Sequence, residues 1–357
     1  MKKFLALLLA LTMALALVAC GGGSDTTDTG SGDTATGDTA SGEFESMTWK
    51  FACSATETSP WVDGAKEFAR IVGEKTGGAI TVQYYPADQL TAGSQTDGIQ
   101  ALMDGTTELS MHSNLIWSSF DQRFNVVSLP FLFDSVEEAD AALDGAGGQA
   151  LGEILESEYN VHLLGIAENG FRHITNSKHA VTSLADMENL KIRVAGSQLL
   201  NRSYELWGAD YTNANWSEVF TALQTGTYDG QENPLPTADA ASIQEVQSYL
   251  TYWTGAYDCL FFCMNADLYN SLSPELQAIV DEAGQAACEY ERELNRGQDQ
   301  EIMDKWAEAG VEITELTPEA AAEFSEASAS VYDEFADELT PELIEAFTSV
   351  TQADNAA

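Results

Sequence analysis

From Met47 onward the chain alternates strand-like and helix-like stretches, and this alternation restricts the fold more than any other feature. Met47–Cys53 has the period-two pattern of a strand. Ser59-Pro60 opens a helix through Lys75, with proline at the first helical position, and Gly77-Gly78 ends it. Ile80–Tyr85 is a second strand closed by Pro86. A helix over Ser94–Met103 and a strand over Glu108–His112 follow. Ser135–Glu158 is helical with a glycine interruption, and Val161–Ala167 is a strand. The pattern then repeats with a strand over Phe171–Asn176, a short helix capped by Ser183 with Asp186 as its capping-box partner, and a strand over Lys191–Val194. Helices over Gln198–Trp207 and Ser217–Gln224 and a long strand-like stretch, Tyr249–Met264, come next. Ser273-Pro274 starts a helical pattern reaching Ala309; after it come a strand over Val311–Leu316 and helices opened by Thr317-Pro318 and Thr340-Pro341. Strands alternating with helices predict a mostly parallel sheet covered on both faces.

Two such runs predict an α/β protein of two lobes with a hinge. Residues 46–170 plus 259–298 make the first lobe, and residues 171–258 plus 299–352 the second. The stretch around Tyr257 is a crossing between them, and the helix from Pro274 is long enough to span both. A ligand would lie in the cleft, where strand ends and helix N-termini converge. Closure of the lobes over it is a hinge motion.

The first residues read as a sorting signal. Lys2 and Lys3 precede an apolar run from Phe4 to Val18, which is short for a membrane span. The run closes on Leu17-Val18-Ala19-Cys20-Gly21, which looks like a bacterial lipobox. That resemblance implies a signal peptide over 1–19, cleavage before Cys20 and lipid on its sulfur, giving a stable anchor. Residues 20–45 are Gly, Ser, Thr, Asp and Ala with almost nothing apolar, and read as a disordered acidic tether.

Four cysteines remain besides Cys20. Cys259 and Cys263 sit four apart with no histidine near them, which speaks against zinc. On a strand they share a face, too far apart for a disulfide. Buried free thiols are expected; a Cys53–Cys288 bridge is the alternative. The net charge of −42 repels nucleic acid and phospholipid headgroups. The four histidines show no metal spacing, and no cofactor is expected.

The positive charges are unevenly placed. No lysine or arginine occurs from Phe124 to Phe171 or from Ser203 to Glu291, yet Arg172, Lys178, Lys191, Arg193 and Arg202 fall close together. An arginine offers a forked donor that fits a carboxylate. Arg193 is the strongest candidate because it sits in the alternating run Leu190-Lys-Ile-Arg-Val194, sharing a face with Lys191 opposite Ile192 and Val194.

Several segments in this order resemble one family, the solute-binding subunit of tripartite ATP-independent periplasmic (TRAP) transporters of the C4-dicarboxylate-binding type. They are Tyr85-Pro-Ala-Asp-Gln-Leu90, Leu129-Pro-Phe-Leu-Phe133, Gly170-Phe-Arg-His-Ile-Thr-Asn176, Leu190–Val194, Trp216-Ser-Glu-Val-Phe220, Leu223-Gln-Thr-Gly226 and Asp229-Gly-Gln-Glu-Asn-Pro234. Thr91 and Ala195 depart from the family's usual glycine and proline. The resemblance covers Met47 to Val350. It implies that Arg193 pairs bidentately with a ligand carboxylate, that Arg172 points at the same end, that Asn233 helps to fix that carboxylate and that Trp216 packs on the ligand. Specificity residues expected in the first lobe are Glu57, Ser113, Asn114 and Trp117. Tyr257 is wall or hinge, Glu232 and Asp229 hold a turn, and Trp61 and Trp207 belong to the core. The acidic residue and arginine of sialic-acid-binding members are replaced by Ser113 and Ile116, which speaks against sialic acid.

The reading that results is a lipid-anchored, monomeric, extracytoplasmic binding protein that takes a small organic acid and serves the small and large membrane subunits of a transporter, without catalysis. A ligand-sensing subunit serving a receptor and a secreted hydrolase are the competing readings. The hydrolase lacks a Gly-x-Ser-x-Gly elbow.

Overall fold

A computed structural model describes residues 44–354, with side chains described through Val350. The signal and lipidation expectations lie outside these residues, as does the tether up to residue 43; Phe44, expected in the tether, packs on the first lobe's apolar cluster. Eleven strands form two sheets. They are β1 (Met47–Cys53), β2 (Ile80–Tyr85), β3 (Leu109–Ser113), β4 (Val161–Phe171), β5 (His173–Asn176), β6 (Lys191–Val194), β7 (Asp210–Asn213), β8 (Gly230–Asn233), β9 (Tyr249–Tyr252), β10 (Tyr257–Asn265) and β11 (Glu312–Glu315). The first sheet has the order β2-β1-β3-β10-β4 and the second β11-β9-β5-β8-β6-β7.

Both sheets are mostly parallel, as expected, but each carries one antiparallel strand. β1 runs parallel to β2 and β3, but β10 is antiparallel to β3 and β4. In the second sheet β5 is antiparallel to β8 and β9. The antiparallel members β5 and β10 are those that arrive directly from the other sheet, without a covering helix to reverse the chain. β4 passes to β5 through Arg172 alone, and β9 passes to β10 through Trp253–Ala256. The strand-like stretch Tyr249–Met264 is therefore two strands in two different sheets.

β10 is buried along its whole length. Cys259, Phe261 and Cys263 face one apolar cluster, and Leu260, Phe262 and Met264 the other. This is the continuous apolar pattern of a central strand covered on both faces. All four described cysteines are buried and free.

Five helices matter for the site and its support: α1 (Pro60–Lys75), α2 (Gln95–Met103), α3 (Trp216–Gln224), α4 (Pro274–Arg296) and α5 (Asp299–Glu308). Ser59 caps α1, its hydroxyl accepting from the Trp61 N–H, with Pro60 at the first position. The single long helix expected from Pro274 to Ala309 is instead two. α4 ends at Gly297, a residue of low helix propensity, and α5 begins two residues later. α4 packs on α1 and β4 of the first lobe, and α5 on β11 and the helix Leu235–Ala240 of the second. The segment 299–352, expected wholly with the second lobe, divides as well. The last helix, Pro341–Asp354, packs on helices Val136–Leu143 and Ala146–Glu158 of the first lobe, because Leu343 and Phe347 are buried in the cluster those helices share.

The crossings are held by an aromatic hub. Trp253 packs edge-on to Trp207, Phe131 and Phe324, with ring centroids 5.0–5.7 Å apart. Its backbone N–H donates to His173 Nδ1 at 3.2 Å, and the His173 ring stacks on Tyr252. Burial, aided by the neighbouring Arg172 charge, pushes the His173 pKa down to about 3. The unfolded chain therefore takes up a proton near the ordinary histidine pKa of 6.5 while the folded protein does not. Stability supplied by neutral His173 is complete above that pH and is lost on acidification, at roughly 1.4 kcal/mol per pH unit. The advantage of the protein over His173→Phe, from urea midpoints, should thus shrink by about 2 kcal/mol between pH 6.5 and 5. An advantage constant across that range would contradict the buried neutral ring.

Candidate functional site

A pocket of about 350 Å³ of empty space lies between the sheets and is lined from both lobes. The second lobe supplies Arg193, Ala195, Trp216, Asn233 and Thr237; the first supplies Ser54, Ala55, Trp61, Gln95, Ser113, Ile116, Asn169 and Asp258, and Arg172 comes from the crossing.

Alternation along β6 sends Ile192 and Val194 into the core and Arg193 to the pocket. Arg193 is only 2 % exposed. Its Nε and Nη2 both donate to the Ala214 carbonyl, at 3.0 and 2.6 Å, and its guanidinium lies 5.6 Å over the Trp216 ring. It forms no ion pair among the described residues. Burial pushes its pKa down to about 10, with Glu232 opposing that effect and Arg172 adding to it. A buried cation met by one carbonyl and one ring has donor capacity left for an anion.

Arg172 is the opposite case. Its Nε reaches Glu232 and its Nη1 reaches Asp258, while Nη2 donates to Glu232 O, Glu232 Oε1 and Asn233 Oδ1 at 2.9–3.0 Å. Burial alone would lower its pKa, but the two carboxylates raise it on balance. Asp258 in turn accepts from Ser113 Oγ and Asn169 Nδ2, each at 2.7 Å, and burial raises its pKa against the pull of Arg172. Asn233 donates to Gln231 Oε1 at 2.8 Å. Arg172 therefore lines the pocket with most of its donors already engaged, and it joins Asp258 in the first sheet to Glu232 in the second.

The expected site residues separate accordingly. Arg193, Arg172, Asn233, Trp216 and Ser113 meet at the pocket. Four others do not line it. Glu57 is exposed on the loop after β1. Asn114 is turned inward, donating to Phe124 O and Ser128 Oγ and accepting from the Cys259 N–H. Trp117 is fully buried against Phe124 and Tyr159. Tyr257 begins β10 just past the crossing from β9, where its hydroxyl donates to Glu168 Oε2 at 2.8 Å and its ring packs on Phe133 and Phe171. Glu232 does more than hold a turn, since it is the chief partner of Arg172; Asp229 accepts from the Lys191 and Ser177 N–H groups, as a turn residue does. Trp207 is core, and so is Trp61, which belongs to the first lobe's apolar cluster and also forms part of the pocket wall.

Sequence reasoning missed Asp258, Trp61, Ser54 and Gln95. The available signal was position: Ser54 directly follows β1, and Trp61 and Gln95 stand in the first turns of α1 and α2, where strand ends meet helix N-termini.

Several hydrogen bonds join the lobes around the pocket. The Trp216 N–H donates to Gln95 Oε1 at 3.2 Å, Ser217 Oγ to Gly93 O at 3.2 Å, and Ser197 Oγ to Asn125 Oδ1 at 2.7 Å. Gly93 has φ +90°, and a Cβ there would lie 2.5 Å from Ser217 Oγ. Gly93→Ala should therefore hinder closure and weaken ligand binding by roughly tenfold, since a strained φ and a clash together cost on the order of 1–3 kcal/mol. Calorimetry returning an unchanged affinity would show that this contact does not limit closure.

Two α/β lobes joined by crossing strands, closed over a buried cation, define a protein that captures small ligands. The chain belongs to the family described as bacterial extracellular solute-binding protein, family 7 (DctP), which it matches over residues 51–339. It is 32 % identical over 272 residues to the 2,3-diketo-L-gulonate-binding periplasmic protein YiaO of Escherichia coli, covering 76 % of this chain and 82 % of that one. It is 27 % identical over 309 residues to the C4-dicarboxylate-binding periplasmic protein DctP of Rhodobacter capsulatus, covering 86 % and 92 %. Among solved structures it is similar to the sugar acid binding protein DctPAm of Advenella mimigardefordensis in complex with galactonate, with TM-score 0.83 and 28 % identity over 87 % of this chain and 99 % of that one.

Proposed function

We propose that this protein captures a small organic carboxylate between its lobes and delivers it to the small and large membrane subunits of a TRAP-type secondary transporter. The observation that carries the reading is Arg193: a buried guanidinium in the pocket wall whose described contacts are the Ala214 carbonyl and the Trp216 ring. A ligand carboxylate supplies the missing anion. Asn233 lies beside it, fixed by Arg172 and Gln231, and Trp216 covers one side. Relatives named for binding 2,3-diketo-L-gulonate and C4-dicarboxylates support the same chemical class. The cycle is one of binding, closure and release, with no bond made or broken.

A melting-temperature screen tests this, because a ligand that binds only the native state raises the transition. Carboxylates should raise it and neutral sugars and amines should not. A panel in which no carboxylate acts, or in which a cation acts best, would refute the reading. The anchor is tested separately: Cys20→Ser should move the protein from the membrane to the soluble fraction, and unchanged membrane association would refute lipidation at Cys20.

A further inference from the structure

Two pocket-wall groups are left over once Arg193 has its carboxylate. Trp61 is 4 % exposed and Ser54 is 5 % exposed, and both line the cavity from the first lobe. Trp61 Nε1 and Ser54 Oγ have no hydrogen-bond partner among the described residues. A buried donor without an acceptor costs enough that nearly all such groups in folded proteins have partners. Trp61 Nε1 can only donate, whereas Ser54 Oγ can donate or accept. Trp49 Nε1 and Trp117 Nε1 are unpaired as well, but they do not line the cavity; Trp61 and Ser54 line it from the lobe opposite β6, where a second oxygen-bearing part of the ligand can reach them.

That second part is not a carboxylate. Among the pocket-lining residues the cations are Arg193 and Arg172. Arg193 is taken by the first carboxylate, and Arg172 is already bound to Glu232 and Asp258. A second anion would face no free cation and would approach Asp258, which lines the same cavity. Apart from Asp258, the rest of the first-lobe wall is uncharged: Ala55 and Ile116 are apolar, and Gln95, Ser113 and Asn169 are neutral polar residues. A neutral hydroxyl or carbonyl oxygen satisfies Trp61 without adding buried charge.

Resting on the reading that Arg193 holds a carboxylate, we infer that Trp61 and Ser54 select a hydroxy or keto monocarboxylate over a dicarboxylate. Trp61 donates to a hydroxyl or keto oxygen of the ligand, and Ser54 exchanges a second hydrogen bond with it. A site built to hydrogen-bond such oxygens rejects the analogue that lacks them, because its own buried donors are then left unpaired.

Calorimetry on the folded protein should compare gluconate, galactonate, erythronate and 2-ketobutyrate with succinate, adipate and hexanoate. The tightest binder should come from the first group, by about tenfold or more over every member of the second. Trp61→Phe removes the donor and keeps the ring. It should reduce the preference for the best hydroxy or keto acid over hexanoate by roughly tenfold. Ser54→Ala should reduce it several-fold and serves if Trp61→Phe does not fold. Tightest binding of succinate or adipate, or a preference unchanged in the folded variants, overturns the inference. If a dicarboxylate wins and Arg193→Ala abolishes its binding, the carboxylate reading stands and only this selection fails. If none of the seven binds, both fail.

Discussion

Arg193→Ala should weaken binding of the cognate carboxylate by a hundredfold or more, while the ligand-free protein melts no lower than before. The two effects have one cause. Removing one partner of a buried, hydrogen-bonded charge pair costs roughly 2 to 5 kcal/mol, much of it from the charge left behind. The ligand carboxylate would be that charge. In the free protein Arg193 is itself the uncompensated charge, held by one backbone carbonyl and the Trp216 ring, with burial pushing its pKa down to about 10. Replacing such a cation with a neutral side chain is expected to be neutral or stabilising. Arg193→Lys should recover only part of the affinity, because an ammonium cannot form the forked pair. Titration calorimetry and melting curves of the three proteins decide the matter. Affinity unchanged in Arg193→Ala would remove the carboxylate from this position, and a large fall in ligand-free stability would mean that Arg193 is a structural cation.

Arg172→Met should do the reverse and lower stability by about 3 to 5 kcal/mol, the usual cost of breaking a buried pair. It would leave Glu232 and Asp258 facing each other without their cation. Urea unfolding at neutral pH reads the change as a lower midpoint at constant slope. Adding Glu232→Gln to Arg172→Met should recover part of the loss, since one orphaned carboxylate is then neutral. A fall below about 1 kcal/mol, or no recovery in the double variant, would mean that water replaces the arginine at little cost.

The two arginines illustrate what was legible in the sequence. Both stood out as cations in a chain of net charge −42, and both line the pocket. Their different roles were not visible, because they depend on acids brought from elsewhere in the chain: Glu232 on β8 and Asp258 on β10. β8 itself was unreadable by pattern. Gly-Gln-Glu-Asn has no apolar residue, yet all four residues are buried, because they are satisfied by Thr175, Arg172 and one another. Periodicity measures hydrophobic partition, and a strand buried for its hydrogen bonds carries no such signal. The same blindness hid the second face of Trp61, which is in the core as its helical spacing implies but also lines the pocket, since a tryptophan on an amphipathic helix looks alike whether it meets a leucine or a cavity. The strands β1, β2 and β6, bounded by proline, glycine and alternating apolar residues, were legible because local chemistry alone defines them. The break at Gly297 was missed because a lone glycine within a helical pattern is usually tolerated.

Arg172 also has a mechanical consequence. It is the single residue between β4 and β5, its N–H is bonded to Ala256 O on the other crossing, and its guanidinium grips one acid from each sheet. A jaw pinned at that point has its fulcrum inside the binding site. Rotation about it moves the floor around Asp258 and Asn233 little and the far rim most, where Gly93 meets Ser217 and Gln95 meets Trp216. Small changes at the pinned end would then be read out as larger travel at the lip. A partner that senses whether the jaw is shut has most to gain by gripping that lip.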